Sequence, residues 1–140
     1  RRNNTITSKI VYEEVAKGKE LGRSDSILVE KLVSENKLKV KTPKASVKSS
    51  IQKLFNIKAG ELEVVSLAYK SKEVILSDDK KCLNTARALG IDFINSFDVI
   101  VVLYKKKVIT KEKALDCIGE LEEYGWYSKD LIKIYREEIK

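Results

Sequence analysis

Apolar residues along the chain fall into stretches of helical spacing interrupted by short apolar runs, and the two kinds of stretch alternate. Ser8 is placed to cap a helix running to about Lys17, with Ile10, Val11 and Val15 on one face and Gly18 just after it. A second helix opens near Ser24 and carries Ile27, Leu28, Leu32 and Val33 on its apolar face. The run from Leu38 to Thr42 reads as a strand stopped by Pro43. ASVKSSIQKLF is a short amphipathic helix, and another follows Gly60 with Leu62, Val65 and Leu67 among its apolar residues. EVILS, Glu73 to Ser77, reads as a strand, and a helix from about Lys80 to Leu89 leads through Gly90 to the short strand DFIN. FDVIVVLY, Phe97 to Tyr104, fits both a β-branched strand and a fully buried helix. The last helices run from about Thr110 to Tyr124 and from Ser128 to Glu138, with Gly125 and Trp126 between them.

Helices alternating with short apolar strands predict an α/β domain with a parallel sheet covered on both faces. In such sheets function collects at the carboxyl ends of the strands, where the order of residues puts Asp78 and Asp79. No repeat, linker or composition break divides residues 1–140, so one domain around one core is expected.

With 43% hydrophobic residues the chain can bury a core without disulfide staples. No apolar run approaches the roughly 18 residues that span a bilayer, and RRNNTITSK lacks the apolar block of a signal peptide. Cys82 and Cys117 lie far apart without a CxxC partner, so both are expected as buried, reduced thiols. A protein of the reducing cytoplasm is the resulting expectation. Histidine is absent, which removes Ser-His-Asp and Cys-His nucleophilic systems, HExxH sites and histidine nucleases together. Phosphate-cradling glycine motifs are absent too, and carboxylates are left as the groups for chemistry. Lysine as a general base or Schiff-base residue has nothing to single out one of the 28 basic residues.

The net charge is +7, and its placement says more than its size. From Asn36 to Gly60 there is no acid, while Lys37, Lys39, Lys41, Lys44, Lys48, Lys53 and Lys58 are all present. Lys105, Lys106, Lys107, Lys111 and Lys113 form a second cluster. Such patches attract polyanions and make nucleic-acid binding salt-sensitive, although on charge alone a solvated lysine surface is the commoner account. The acids pose paired choices. Asp78-Asp79 can cap the helix that follows, or hold a divalent cation that relieves the repulsion of two adjacent carboxylates. Glu61 and Glu63 suit the first turn of a helix electrostatically, and the helical twist turns them to different sides. Glu13 and Glu14 are adjacent as well, and one at least is expected on the surface.

ITSKIVYEEVAKGKELG, IKAGELEVVSLA and VILSDDKKCLNTARALGIDFINS occur in the order and spacing of PIN-domain proteins, and resemble most the VapC-type toxin nucleases and their archaeal relatives. The resemblance covers nearly the whole chain. It implies a three-layer α/β/α fold and a metal-dependent ribonuclease whose carboxylates hold Mg2+ or Mn2+. Glu14 matches the acid of the VYEE motif, Glu61 the acid that opens the central helix with Glu63 as substitute, and Asp78 or Asp79 the acid closing the fourth strand. Ser77 and Ser96 fall where small hydroxyl residues line the site in relatives. The family also opens with a strand ending in an aspartate, and this sequence starts beyond that point, about 25 to 30 residues in by comparison with the family. One metal ligand and the first strand are expected to lie in that segment.

The reading that follows is a single-stranded RNA endonuclease. Glu14, Glu61, Asp78 and Asp79 hold the metal, Lys39, Lys41, Lys44 and Lys48 guide the backbone, and the products carry a 5′-phosphate and a 3′-hydroxyl. By resemblance it is the toxin of a toxin-antitoxin pair, a homodimer inhibited by a small antitoxin protein. FDVIVVLY is a possible interface, though apolar runs are more often core, and Trp126 and Tyr127 are expected in packing. A non-catalytic PIN-like module that binds nucleic acid or protein is the alternative. A phosphoacceptor receiver domain fits poorly, because its acid pair belongs near the start of the domain.

Overall fold

The computed structural model describes residues 5–71, 73–125 and 127–140, so Trp126 and the first four residues lie outside the described residues. The elements in chain order are β1 (Thr5–Ser8), α1 (Lys9–Lys17), a 3-10 turn (Gly18–Leu21), α2 (Ser24–Ser34), β2 (Leu38–Lys41), α3 (Ala45–Leu54) and α4 (Ala59–Ala68). There follow β3 (Ile75–Leu76), α5 (Lys80–Ala88), β4 (Phe93–Ile94), α6 (Ser96–Lys105), α7 (Lys111–Tyr124) and α8 (Lys129–Glu138). The α/β class with parallel strands stands as the periodicities predict. Among the described residues the strands pair two by two, where one sheet was expected. β1 and β2 run parallel with Thr5 opposite Leu38 and Ser8 opposite Lys41. In the second pair Ile75 donates to the Asp92 carbonyl at 2.9 Å and Ser77 to that of Ile94 at 3.1 Å, an advance in the same direction along both segments.

The chain divides into two compact units. The first runs to Ile75 and resumes over Asp79–Phe93, and the second comprises Leu76–Asp78 and Ile94–Lys140. Each has its own apolar cluster, where the length had suggested one core. In the first unit Ile51, Ile57, Leu62, Val65, Ile75, Cys82 and Ala86 are buried together. In the second, Phe97, Ile100, Val101, Ala114, Ile118, Ile132 and Ile139 are buried together.

Side-chain caps explain most of the described α-helix starts. Ser8 accepts the Val11 N–H at 3.2 Å and opens α1, Thr110 opens α7 and Ser128 opens α8 in the same way. FDVIVVLY is helix. Asn95 and Asp98 form a reciprocal capping box before it, and Phe97, Ile100, Val101 and Tyr104 face the second cluster at helical spacing while Val102 stays exposed. Three further details differ from expectation. TITS pairs as a strand because Leu38–Lys41 supplies a parallel partner, EVILS contracts to Ile75–Leu76, and a 3-10 turn continues α1 up to the left-handed Gly22. Cys82 is buried as expected, whereas Cys117 is half-buried, and both are free thiols. Among the described residues no helix is long and apolar enough to cross a membrane.

Candidate functional site

The first unit holds Glu14, Glu61, Glu63 and Asp79. Helix α1 presents Glu13 and Glu14 on its exposed side, Glu13 within 3.8 Å of Lys9 in a solvent-facing pair. Glu14 leans toward α4. A Cβ on Gly60 would meet Val11 Cγ2 at 2.9 Å and Glu14 Oε2 at 3.6 Å, so the missing side chain is what lets α1 approach the start of α4 this closely. Glu61, half-buried, is the acid of the first turn of α4, where the helix dipole favours negative charge.

Two residues on, Glu63 turns inward and is only 3% exposed. Its Oε2 accepts the Ile10 N–H at 3.1 Å, and Lys48 Nζ donates to Oε1 at 3.2 Å. Burial by itself raises the Glu63 pKa, but the Ile10 N–H, the Lys48 ammonium and the Ser8 hydroxyl outweigh it and hold the carboxyl below its ordinary value. Glu63 thus ties β1 and α1 to α4 and α3, a role the sequence reading did not give it. The same bond engages Lys48, one of the four lysines expected to guide RNA. Lys39, Lys41 and Lys44 are exposed.

Asp79 caps α5 by accepting the Cys82 N–H at 2.7 Å, the structural half of the choice posed for the acid pair. Asp78 is arranged differently and belongs to the second unit. Its Oδ1 accepts the Ser96 N–H at 3.0 Å and the Tyr127 hydroxyl, and its Oδ2 accepts the Ser96 hydroxyl. Burial pushes the Asp78 pKa up, and the Ser96 and Tyr127 donors more than offset it, leaving the carboxyl below its usual range. Tyr127 responds in the opposite sense: burial and the neighbouring carboxylate push its phenol well above the ordinary tyrosine value.

Phe97 aligns this cluster. It packs edge-on against Tyr127 with ring centroids 4.6 Å apart and stacks on Tyr135 at 4.9 Å. Tyr135 donates to Asp98 Oδ1 at 2.8 Å and is pushed up to about 12, first by burial and then by that bond. Ser96 meets Asp78 through both its N–H and its hydroxyl, while Ser77 contributes its backbone to the strand pair. Tyr127, Tyr135, Asn95 and Asp98 were missed as members of the cluster. The N-x-x-D spacing of Asn95 and Asp98 was a legible capping signal, whereas nothing in the local sequence couples Tyr127 to Asp78.

Among the described residues no three Asp, Glu or Cys side chains converge as a metal cage. A small hard cation does not need one, because it keeps waters and takes one or two carboxylates beside substrate phosphates. Glu14 against Gly60 and Glu61 in the next position supply hard oxygen donors within the first unit, and the chemistry of that donor set fits Mg2+ or Mn2+. Glu63 and Asp78 have both carboxylate oxygens engaged by protein donors.

The short parallel strands, helix-rich α/β pattern and acids at element ends define a known class. A PIN domain family model matches residues 2–139, and the chain belongs to that family. It is also 38% identical over 78 residues to Endoribonuclease Nob1 of Pyrococcus abyssi (strain GE5 / Orsay), a match taking in 51% of this chain and 48% of that protein. The chain thus matches about half the length of that relative.

Proposed function

We propose that this PIN domain is an endonuclease acting on single-stranded RNA. The observation that carries the reading is the 38% identity to Endoribonuclease Nob1 within a chain that is PIN domain throughout residues 2–139. The acid-free basic segment supports it, since exposed Lys39, Lys41 and Lys44 provide a positive surface for a phosphate backbone. Glu14 and Glu61 are the residues we assign to a divalent cation, Mg2+ or Mn2+, and Asp78 and Asp79 are the further acids on which we expect cleavage to depend. When bound, the ion would place positive charge against the phosphodiester and acidify water. The chain's own part is electrostatic and positional: the start of α4 stabilises the Glu61 carboxylate, Ser96 and Tyr127 keep Asp78 ionised and oriented, and Asp79 secures α5.

A toxin role, a small antitoxin partner and a cytoplasmic setting are supported by the family resemblance alone. A homodimer is supported as well by exposed Leu76, Val102 and Tyr124 in the second unit. A non-catalytic binding module is the second reading, favoured by the protein donors that already engage both oxygens of Asp78. Incubating the protein with a mixed-sequence RNA, with Mn2+ or Mg2+ against chelator, separates the two. Glu14→Gln, Glu61→Gln and Asp78→Asn/Asp79→Asn are run beside it. Metal-dependent cleavage lost in these variants supports the nuclease, and salt-sensitive binding without cleavage transfers the conclusion to the module.

A further inference from the structure

Away from Glu14 and Glu61, at the opposite end of α4, the first unit carries an open cavity of about 510 Å³. It lies between the β2–α3 connection and the residues that end α4. Thr42, Lys44, Ser46 and Ser50 line one side, Tyr69 and Lys70 the other, and none of the described lining residues is acidic. That volume is within the range of small-molecule sites, roughly 300–1,000 Å³. We propose that this cavity is a nucleotide subsite that takes one phosphodiester and its base from a single-stranded RNA running past the acids.

Three features carry the assignment. The first is charge that no described acid neutralises. Lys48 is engaged with Glu63, whereas Lys44 and Lys70 are exposed at the cavity and no described ion pair claims either. The second is donor supply. The Thr42 and Ser46 hydroxyls stand beside the two ammonium groups, while those of Ser50 and Ser66 donate to backbone carbonyls of their own helices, and α3 opens there with Lys44 at its N-cap and no side-chain cap, so its first-turn N–H groups add positive potential. The third is an aromatic surface. Tyr69 is half-buried, and Lys70, in the left-handed region at φ 59°, sets its ammonium 5.3 Å from the Tyr69 ring centroid. A cation beside a π-face next to hydroxyl donors suits a base and its phosphate together, because bases stack on aromatic rings without regard to sequence. An acidic peptide would use the charges and leave the ring unused.

The subsite rests on the RNA reading above but is independent of cleavage, and the test keeps the two apart. Binding of a fluorescein-labelled ten-residue oligouridylate is followed by anisotropy in chelator across a salt series, for the unaltered protein and for Lys44→Gln/Lys70→Gln. Each single-strand phosphate contact contributes about 0.7 to the slope of log affinity against log salt. The double variant, which loses the one phosphate held there, should therefore lower that slope by about 0.7, and Ser46→Asp should weaken binding at every salt concentration. A Lys129→Gln/Lys133→Gln control in the second unit should leave the slope unchanged. An unaltered slope in the double variant overturns the subsite, and so does equal competition by an oligoglutamate peptide or by duplex RNA. Cleavage in Mn2+ with cavity-independent binding removes the subsite and leaves the nuclease, while cavity-dependent binding without cleavage does the reverse.

Discussion

Gly125 shows how a single missing side chain shapes the Asp78 cluster. A Cβ there would lie 2.5 Å from the Tyr127 ring and 2.7 Å from the Leu121 carbonyl oxygen. Gly125→Ala should therefore displace the ring, with thermal stability falling by roughly 1–3 kcal/mol, as overpacking does. Tyr127→Phe isolates the bond itself. It keeps the contact with Phe97 and should cost about 1 kcal/mol in urea unfolding, since the site is only part-buried. The two depressed carboxylates predict the acid side of the stability profile. Glu63 and Asp78 lie below their ordinary values of 4.5 and 3.8, so their contribution is complete above those values and disappears as pH falls through the lower folded ones. Melting temperature should drop steeply from about pH 4.5 downward, and Glu63→Gln should flatten that limb. The raised tyrosines act on the other side: Tyr135, at about 12 when folded against an ordinary 10.0, stabilises below pH 10 and ceases to as pH rises through 12. Sequence spacing correctly set Glu61 and Glu63 on different sides of a helix. It could not say that Glu63 would be the buried one, because that depends on Ile10 and Lys48 arriving from elsewhere in the chain.

Elements were legible wherever a cap or a turn residue marks an end. Ser8, Thr110 and Ser128 each start a helix with a side-chain bond, and Pro43 follows β2 as expected. Strands were less legible, since β3 and β4 are two residues each and two-residue pairs carry almost no periodicity of their own. Helix α6 shows a local signal deciding between two readings of one apolar run. Asn95→Ala removes one half of its capping box and should cost about 1 kcal/mol, read as a loss of helix signal and a lower melting temperature. Helix α4 depends instead on its partner. Gly60→Ala gains helix propensity but drives a Cβ to 2.9 Å from Val11 Cγ2. We expect a net loss of about 1 kcal/mol, since the β-branched valine has little room to turn.

For the molecule as a whole, the two apolar clusters each supply anchors that tolerate little truncation. Phe97 is 0% exposed and packs against Tyr127 and Tyr135, so Phe97→Ala should destabilise by about 3–5 kcal/mol and abolish the near-ultraviolet signature of those rings. Charge acts on the same scale. A net +7 with an acid-free segment of lysines was visible without any coordinates, and so were the absence of histidine, the α/β alternation and the acids at element ends. These are properties of local order and composition, which the chain carries into any fold. Which acids are free to act was decided only in three dimensions. Asp78 meets Ser96 and Tyr127, Glu63 meets Ile10 and Lys48, and Lys44 and Lys70 face one cavity, all through contacts between residues distant in the chain. A carboxylate's chemistry depends on the donors that reach it, and the packing of whole elements brings those donors into place.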